Sequence, residues 1–154
     1  MFMRRSRQIN KGFTILELLV VIAIIGMLAS AIVVLTGQVR AKSRDARREQ
    51  DIKQIANALE LYVTSIGAFP ICATEVVIGG AADTCIAPVL VSMGAINALP
   101  SDPLGKTTGT CNSAGSYVYC YQSVNGRSYA IHYLLETSSN PGKSAGIQTL
   151  TVNP

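Results

Sequence analysis

Glu17 is the single charged residue between Phe13 and Val39, in a stretch that is otherwise apolar or uncharged and polar. An ionised carboxylate within a membrane costs about 2.5–3.5 kcal/mol on insertion scales. One interpretation is that Glu17 lies near the membrane–water interface, where its side chain either extends toward the water or is protonated. The other is that a cation neutralises it, because two buried charges tolerate burial far better as a pair than alone.

The sequence offers few cations for such a pair. No Lys or Arg lies within a helical turn on the C-terminal side of Glu17, and Lys11 is the near one on the other side. A cut after Gly12 would remove Lys11 and create an ammonium group on Phe13, which would itself need a partner. The spacing therefore points to a processing step followed by charge pairing.

The segment Lys11–Ile22, KGFTILELLVVI, resembles the prepilin motif of type IV pilins and pseudopilins. It combines a basic leader, a small residue, an aromatic residue and a glutamate four residues later. The resemblance implies that a membrane aspartyl peptidase cuts between Gly12 and Phe13, and that the new amine of Phe13 is N-methylated. It also implies that Glu17 pairs with the Phe13 amine of a neighbouring subunit. Gly12 would let the peptidase approach the backbone, although an ordinary N-cap glycine is the alternative.

The positive charge is concentrated at the N-terminus. The chain has 13 Lys and Arg against 9 Asp and Glu, a formal charge of +4. Arg4, Arg5, Arg7 and Lys11 account for that excess, so the rest of the chain is balanced. The composition excludes a uniformly basic nucleic-acid-binding protein and indicates a short basic leader.

The residues from Leu18 to Val39 carry no charge, and as a helix they would be about 33 Å long, enough to span a bilayer. Because Lys and Arg follow this segment as well as precede it, charge alone does not orient it. The helix is predicted to continue without a break, since the next proline is Pro70 and Gly67 suits a left-handed C-cap. A helix from Phe13 to Ile66 follows, and its second half carries apolar residues at helical spacing. These are Ile52, Ile55, Leu59, Tyr62 and Ile66.

The charged run from Arg40 to Lys53 favours a solvated helix or subunit contacts. Arg47 with Asp51 and Glu49 with Lys53 have the spacing of helical ion pairs, and Arg48 can reach Asp45 or Asp51. DNA binding by Arg44, Arg47 and Arg48 is a weaker alternative.

Four cysteines follow the membrane segment, and an even number in a small exported domain predicts two disulfides. The favoured pairs are the two local ones, Cys72–Cys85 and Cys111–Cys120, although three pairings are possible. A zinc site is disfavoured because no closely spaced cysteine pair occurs.

The last third of the chain predicts an antiparallel sheet. Strand alternation at 117–121 and 128–135 flanks Asn125-Gly126, which favours a two-residue hairpin turn with Cys120 opposite Ile131 and Val118 opposite Tyr133. Residues 147–152 could add a third strand. His132 is interpreted as a sheet residue, because it is the single histidine and lacks catalytic partners.

The turn Leu99–Gly105 resembles the Pro-x-Asp-Pro turn of secretion pseudopilins, with Asp102 bonding its own loop. In those proteins later acidic residues bind calcium. Here Glu136 is the one acidic residue after Asp102, so a calcium site is not supported and a true pilin is favoured.

We therefore expect an α+β, pilin-like fold: one long N-terminal helix, its apolar half membrane-spanning or in the filament core, packed on a small antiparallel-sheet head. The expected parts are a removed leader (1–12), an apolar half (13–39), an amphipathic half (40–66) and the head (67–154).

The expected function is a structural pilus subunit rather than an enzyme, with no cofactor, metal or small-molecule substrate. Its partners would be further copies of itself, the prepilin peptidase and methylase, the assembly platform and the inner membrane, and its final location a surface pilus. The alternatives are a type II secretion pseudopilin and a monomeric membrane-anchored binding module. A secreted protein cut near Ala29-Ser30-Ala31 is disfavoured, since the cut would destroy the helix.

Overall fold

The computed structural model describes residues 12–105, 108–138 and 141–153. The remainder of the predicted leader, residues 1–11, lies outside the described residues. The chain divides into two compact units that meet at Val39 and Arg40. Helix α1 contributes to both, since it runs from Ile15 to Ile66 over 52 residues.

Helix α1 begins and ends close to the predicted positions. Thr14 precedes its first residue, and its end is marked by Gly67, which has φ 85° and donates its N–H to the Val63 carbonyl at 2.7 Å. That geometry is the left-handed C-cap expected from the sequence, because only glycine adopts a positive φ without a steric penalty.

In the first unit the apolar side chains that the structure describes are exposed on every side of the helix. Among the described residues, Ile15–Ile66 is the helix long and apolar enough to cross a membrane, and its most apolar window has no buried residue. The hydroxyls of Ser30 and Thr36 donate to the carbonyls of Met27 and Ile32 at 2.8 and 2.7 Å. Two of the polar side chains in the apolar half are thus satisfied within the helix, as an apolar environment requires.

The second unit is built on a four-stranded antiparallel sheet. The strands are β1 (Cys72–Val77), β2 (Cys120–Ser123), β3 (Tyr129–Leu135) and β4 (Gly146–Val152), and they lie in the order β1-β2-β3-β4. A short helix, α2 (Ala87–Ser92), follows β1. The α+β architecture expected from the sequence is confirmed. Strand β1 and helix α2 were not predicted, because β1 is irregular and neither segment is long enough for a clear period.

The core of this unit lies between the amphipathic half of α1 and the sheet. Ile52, Ile55 and Leu59 are buried as predicted, and Tyr62 packs at their margin. Ile66 was wrongly assigned to this stripe: it is 59% exposed, because it is the last residue of α1.

The β2–β3 hairpin differs from the prediction by one residue. Cys120 pairs with His132 and Tyr121 with Ile131, where a two-residue turn would have placed Cys120 opposite Ile131. Val118 was expected in the first strand, but β2 begins only at Cys120. The Ser123 hydroxyl accepts the Gly126 N–H and donates to the Ser128 carbonyl, which stabilises a longer connection than the Asn-Gly pair predicts.

Candidate functional site

Gly12 and Phe13 lie outside helix α1, in a segment without regular structure. Phe13 is 90% exposed, and a Cβ on Gly12 would meet no atom within 4 Å. No described residue therefore covers the bond between the two residues. A peptidase needs that access, because it must hold the chain in an extended conformation.

Thr14 and Glu17 form a reciprocal cap at the start of α1. The backbone N–H and the hydroxyl of Thr14 both donate to Oε2 of Glu17 at 2.8 Å. The Glu17 N–H in turn donates to Oγ1 of Thr14 at 3.2 Å. This is a capping box, which satisfies donors that the first turn of a helix leaves free. Thr14, not Gly12, is therefore the N-cap residue.

The capping box was missed in the sequence, although Thr-x-x-Glu before an apolar run is its known signature. It gives Glu17 a local role in addition to the predicted one. No Lys or Arg side chain in the described ranges reaches the Glu17 carboxylate. The charge is thus held by hydrogen bonds within its own helix, but it is not neutralised there.

A cluster of charged side chains lies between the amphipathic half of α1 and the head, and it is centred on Arg48 of α1. Its guanidinium is fully buried and donates to both oxygens of Asp102, at 2.6 and 3.1 Å. It also donates to Asp45 and Glu136, each at 2.7 Å, and its Cζ lies 4.7 Å from the centre of the Tyr117 ring. The Arg48 cluster, as we call it, joins the helix to the proline-rich turn and to the end of β3.

The carboxylates around Arg48 are also bound by backbone and further side-chain donors. Asp45 accepts the N–H groups of Glu136 and Thr137 at 2.9 and 2.8 Å, and Asp102 accepts the Leu104 N–H at 2.8 Å. Glu136 forms a second ion pair with Arg44. A buried ion network is tolerable only when its remaining hydrogen-bonding groups are satisfied in this way.

The pKa values reflect this network. The hydrogen bond from Arg44, followed by those from Arg48, lowers the pKa of Glu136 to about 2, although burial acts in the opposite direction. Burial lowers the pKa of Arg48, but its bonds to Asp102 and Glu136 outweigh that effect and raise the pKa above its ordinary value. Both groups remain charged throughout the physiological range.

Two tyrosines, one just before β2 and one in β3, bind further acids of α1. The Tyr119 hydroxyl donates to Asp51 at 2.9 Å, and the Tyr133 hydroxyl donates to Glu49 at 2.8 Å. Lys143 also reaches Glu49, at 2.6 Å, and contacts the Tyr133 hydroxyl. The expected pairs Arg47–Asp51 and Glu49–Lys53 are therefore wrong, because the head supplies closer partners for both acids.

Comparison with known proteins agrees with the N-terminal geometry. Residues 7–33 match the family described as the prokaryotic N-terminal methylation motif. The chain is also 32% identical over 106 residues to the type II secretion system core protein G of Escherichia coli (strain K12), a match that covers 66% of this chain and 72% of that protein. The chain belongs to the pilin and pseudopilin family. No solved structure matches it.

Glu136, which directly follows β3, is the acidic residue that bears on the expected absence of a calcium site. In this pilin-family chain Glu136 is held by Arg44 and Arg48, so its two oxygens are already in use. The carboxylate that the sequence singled out as the last acidic residue therefore stabilises the head internally. The expectation that it does not form part of a calcium site stays a prediction.

The two disulfides are local. Cys72 is bonded to Cys85 and Cys111 to Cys120, the pairs that the sequence favoured. The Glu75 carboxylate lies near the sulfurs of Cys111 and Cys120, but those sulfurs are bonded to each other and are not thiolate ligands. His132 lies in β3 as expected and bonds Glu75 through Nδ1 at 2.5 Å.

The residues considered for DNA binding are mostly engaged elsewhere. Arg48 is buried and Arg44 pairs with Glu136, so of the three arginines only Arg47 is exposed and without an ion pair among the described residues. The charged run is thus largely a means of holding the head on α1. The expectation of a solvated helix is therefore wrong for the buried residues Asp45, Arg48 and Asp51, whereas the alternative of subunit contacts stays a prediction.

Proposed function

We propose that the chain is a prepilin whose mature form is a structural subunit of a type IV pilus. In this proposal a membrane peptidase removes residues 1–12 by cutting between Gly12 and Phe13, and the new Phe13 amine is methylated. The apolar half, residues 13–39, anchors the precursor in the inner membrane and later packs in the core of the filament. The head and the amphipathic half face outward at the cell surface.

One observation carries this proposal. Glu17 presents an ionisable carboxylate on an exposed apolar helix, and the described residues offer it no cation. In a filament the methylated amine of Phe13 from a neighbouring copy supplies that cation. Pairing then offsets the desolvation cost that each charge would carry alone in an apolar core. The capping box keeps the carboxylate at the start of the helix, where a neighbouring N-terminus can reach it.

The ion pairs of Glu136 with Arg44 and Arg48 favour a pilus over a secretion pseudopilus. The family's secretion members are expected to bind calcium through acidic residues late in the sheet, and here the last acidic residue is paired with arginines. The second candidate remains a pseudopilin, supported by the identity with core protein G of E. coli. Calcium-dependent stability of the head would favour the pseudopilin.

The testing experiment is the intact mass and N-terminal sequence of the protein sheared from cell surfaces. The proposal predicts a chain that begins at methylated Phe13 and lacks residues 1–12. A chain that still carries Arg4 would leave Glu17 without its partner, and a chain that begins near Ile32 would lack Glu17 altogether; either result would overturn the proposal. In that case a membrane-anchored or secreted binding domain would be the better account. The peptidase, the methylase and the assembly platform are the partners that this processing requires.

A further inference from the structure

The amphipathic half and the head use nearly all of their acids internally. In the described part of residues 40–153, seven carboxylates accept hydrogen bonds from side chains or backbone. They are Asp45, Glu49, Asp51, Glu75, Asp83, Asp102 and Glu136. Within the same ranges, the Glu60 carboxylate is exposed and makes no hydrogen bond or ion pair.

The basic residues show the opposite pattern. Arg44, Arg48 and Lys143 are paired, but the exposed cations of α1 form no ion pair with any described residue. These cations are Arg40, Lys42, Arg47 and Lys53. Although residues 12–154 carry equal numbers of basic and acidic side chains, the exposed and unpaired charges of α1 in the described ranges are mostly basic. An exposed acid and several exposed bases on one helix are available for contact with another molecule.

Lys53 and Glu60 are the best matched of these charges. They are seven residues apart, or about two turns, and so lie on the same side of α1. Glu49, the residue that helical spacing would assign to Lys53, is taken by Lys143 and Tyr133. A second copy, parallel to the first and displaced along the helix by about 10.5 Å, would bring its Lys53 level with Glu60.

The N-terminal pairing requires a similar displacement in the same direction. Phe13 and Thr14 precede the helix, but the Leu18 N–H already donates to the Thr14 carbonyl as in a helical turn, so the rise from Phe13 to Glu17 is about 8 Å. A neighbour whose Phe13 is level with Glu17 is thus displaced by about 2.5 Å less than the shift that brings Lys53 level with Glu60, a difference within the reach of the long lysine side chain. The spacing from Phe13 to Glu17 lies within the first unit, and the spacing from Lys53 to Glu60 lies within the second.

We propose that Lys53 of one copy forms an ion pair with Glu60 of the adjacent copy in the filament. This inference rests on the proposed function, because it takes the Phe13–Glu17 pairing as the reference for the displacement. The partner is a second copy of this chain, in parallel orientation. The pair supplies register between amphipathic halves, while the N-terminal pair supplies it within the apolar core.

The test is a charge exchange in the full chain, produced in cells that assemble it. Glu60→Lys and Lys53→Glu each place like charges opposite one another, and each should lower the amount of sheared filament roughly tenfold relative to precursor in the membrane. The double variant, Lys53→Glu with Glu60→Lys, restores opposite charges and should recover most of the filament.

A matched control is Arg47→Glu combined with Glu60→Lys. It has the same net charge as the rescuing double variant, but Arg47 lies on a different side of the helix from Glu60. It should not recover filaments. Arg127 lines the same surface hollow as Glu60 within one copy, so Arg127→Ala is the control for an internal pair and should leave filaments unchanged.

The outcomes separate this inference from the proposed function. Processed wild-type filaments together with a failed rescue would overturn the Lys53–Glu60 pair alone. Single variants without effect, rescue by the Arg47 control, or filament loss in Arg127→Ala would also overturn it. An unprocessed wild-type chain without filaments would overturn the proposed function, and this inference with it. Equal unfolding midpoints of the purified variants exclude misfolding as the cause.

Discussion

The two units of the chain deal with charge in opposite ways. In the first unit Glu17 is the one charge of an apolar helix, and hydrogen bonds from Thr14 are its partners among the described residues. In the second unit the fully buried Arg48 contacts three carboxylates and an aromatic ring of the same chain. The Arg48 charge is neutralised within its own chain, whereas the Glu17 charge has no cationic partner among the described residues and in the proposed filament would be paired by another copy.

This difference indicates which unit is complete as a monomer. The head has an internal core, two disulfides and a satisfied ion network, so its stability should not depend on assembly. The apolar half exposes its side chains and presents an unneutralised acid, so it needs a membrane or neighbouring copies. Substitution of the groups buried in the second unit should therefore affect unfolding of the head, whereas substitution of Glu17 in the first unit should affect filament formation.

The largest expected effect on the head comes from Arg48→Met. Removal of the guanidinium leaves the buried carboxylates of Asp45 and Asp102 without their cation, which typically costs about 3–5 kcal/mol. Urea unfolding followed by tyrosine fluorescence measures the loss. Arg47→Met is the control, because Arg47 is exposed and unpaired among the described residues, and it should change stability by less than about 0.5 kcal/mol. Equal effects of the two substitutions would contradict the role assigned to the cluster.

A smaller effect is expected when the Cys111–Cys120 disulfide is removed. Its cysteines are 9 residues apart, and a bridge that closes such a loop contributes roughly 2–3 kcal/mol, mainly by restricting the unfolded chain. The double variant Cys111→Ser/Cys120→Ser should unfold at a correspondingly lower urea concentration. Removal of Cys72–Cys85, with a separation of 13, should cost about the same or slightly more. An unchanged urea midpoint of unfolding in either variant would show that the removed disulfide does not stabilise the head.

The smallest effect concerns pH and Glu136. Its pKa is lowered to about 2 in the folded chain, first by the bond from Arg44, against an ordinary value of 4.5. The linked stability is therefore present above pH 4.5 and is lost as the pH falls toward 2. After allowance for solvent screening we expect about 1–2 kcal/mol. Glu136→Gln should be less stable at pH 7 and show a shallower loss on acidification.

Glu60→Gln is the control for that measurement. Glu60 is exposed and makes no ion pair with a described residue, so its substitution should change the stability at pH 7 by less than about 0.5 kcal/mol. If Glu136→Gln retained the full acid dependence of the wild type, the Arg44–Glu136–Arg48 contacts would not be the source of the shift.

The sequence predicted best the features whose signals are local. The end of α1 follows from Gly67 and the nearby proline. The candidate site at Gly12, Phe13 and Glu17 was inferred from six consecutive residues, and its role stays a prediction. Local spacing also favoured the two disulfides. The capping box has an equally local signal, the Thr-x-x-Glu spacing of Thr14 and Glu17, but the sequence prediction assigned Glu17 to charge pairing alone.

The Arg48 cluster could not be predicted in the same way. Asp102 and Glu136 lie 54 and 88 residues beyond Arg48, and only the packed sheet brings them to the helix. Helical spacing assigned the acids of α1 to neighbours on the same helix, but a buried site with several donors stabilises a carboxylate more than an exposed pair does. The hairpin register failed for a related reason, since the side chain of Ser123 alters the connection.

The most direct test of the contrast between the two units is Glu17→Gln in the full chain. A glutamine side chain at this position retains the capping box with Thr14 but removes the charge. The account predicts that sheared filaments disappear, while unfolding of the head and the amount of membrane precursor stay as in the wild type. If the Glu17→Gln variant formed filaments in normal amounts, the carboxylate would serve only as a cap, and pairing between copies would be contradicted.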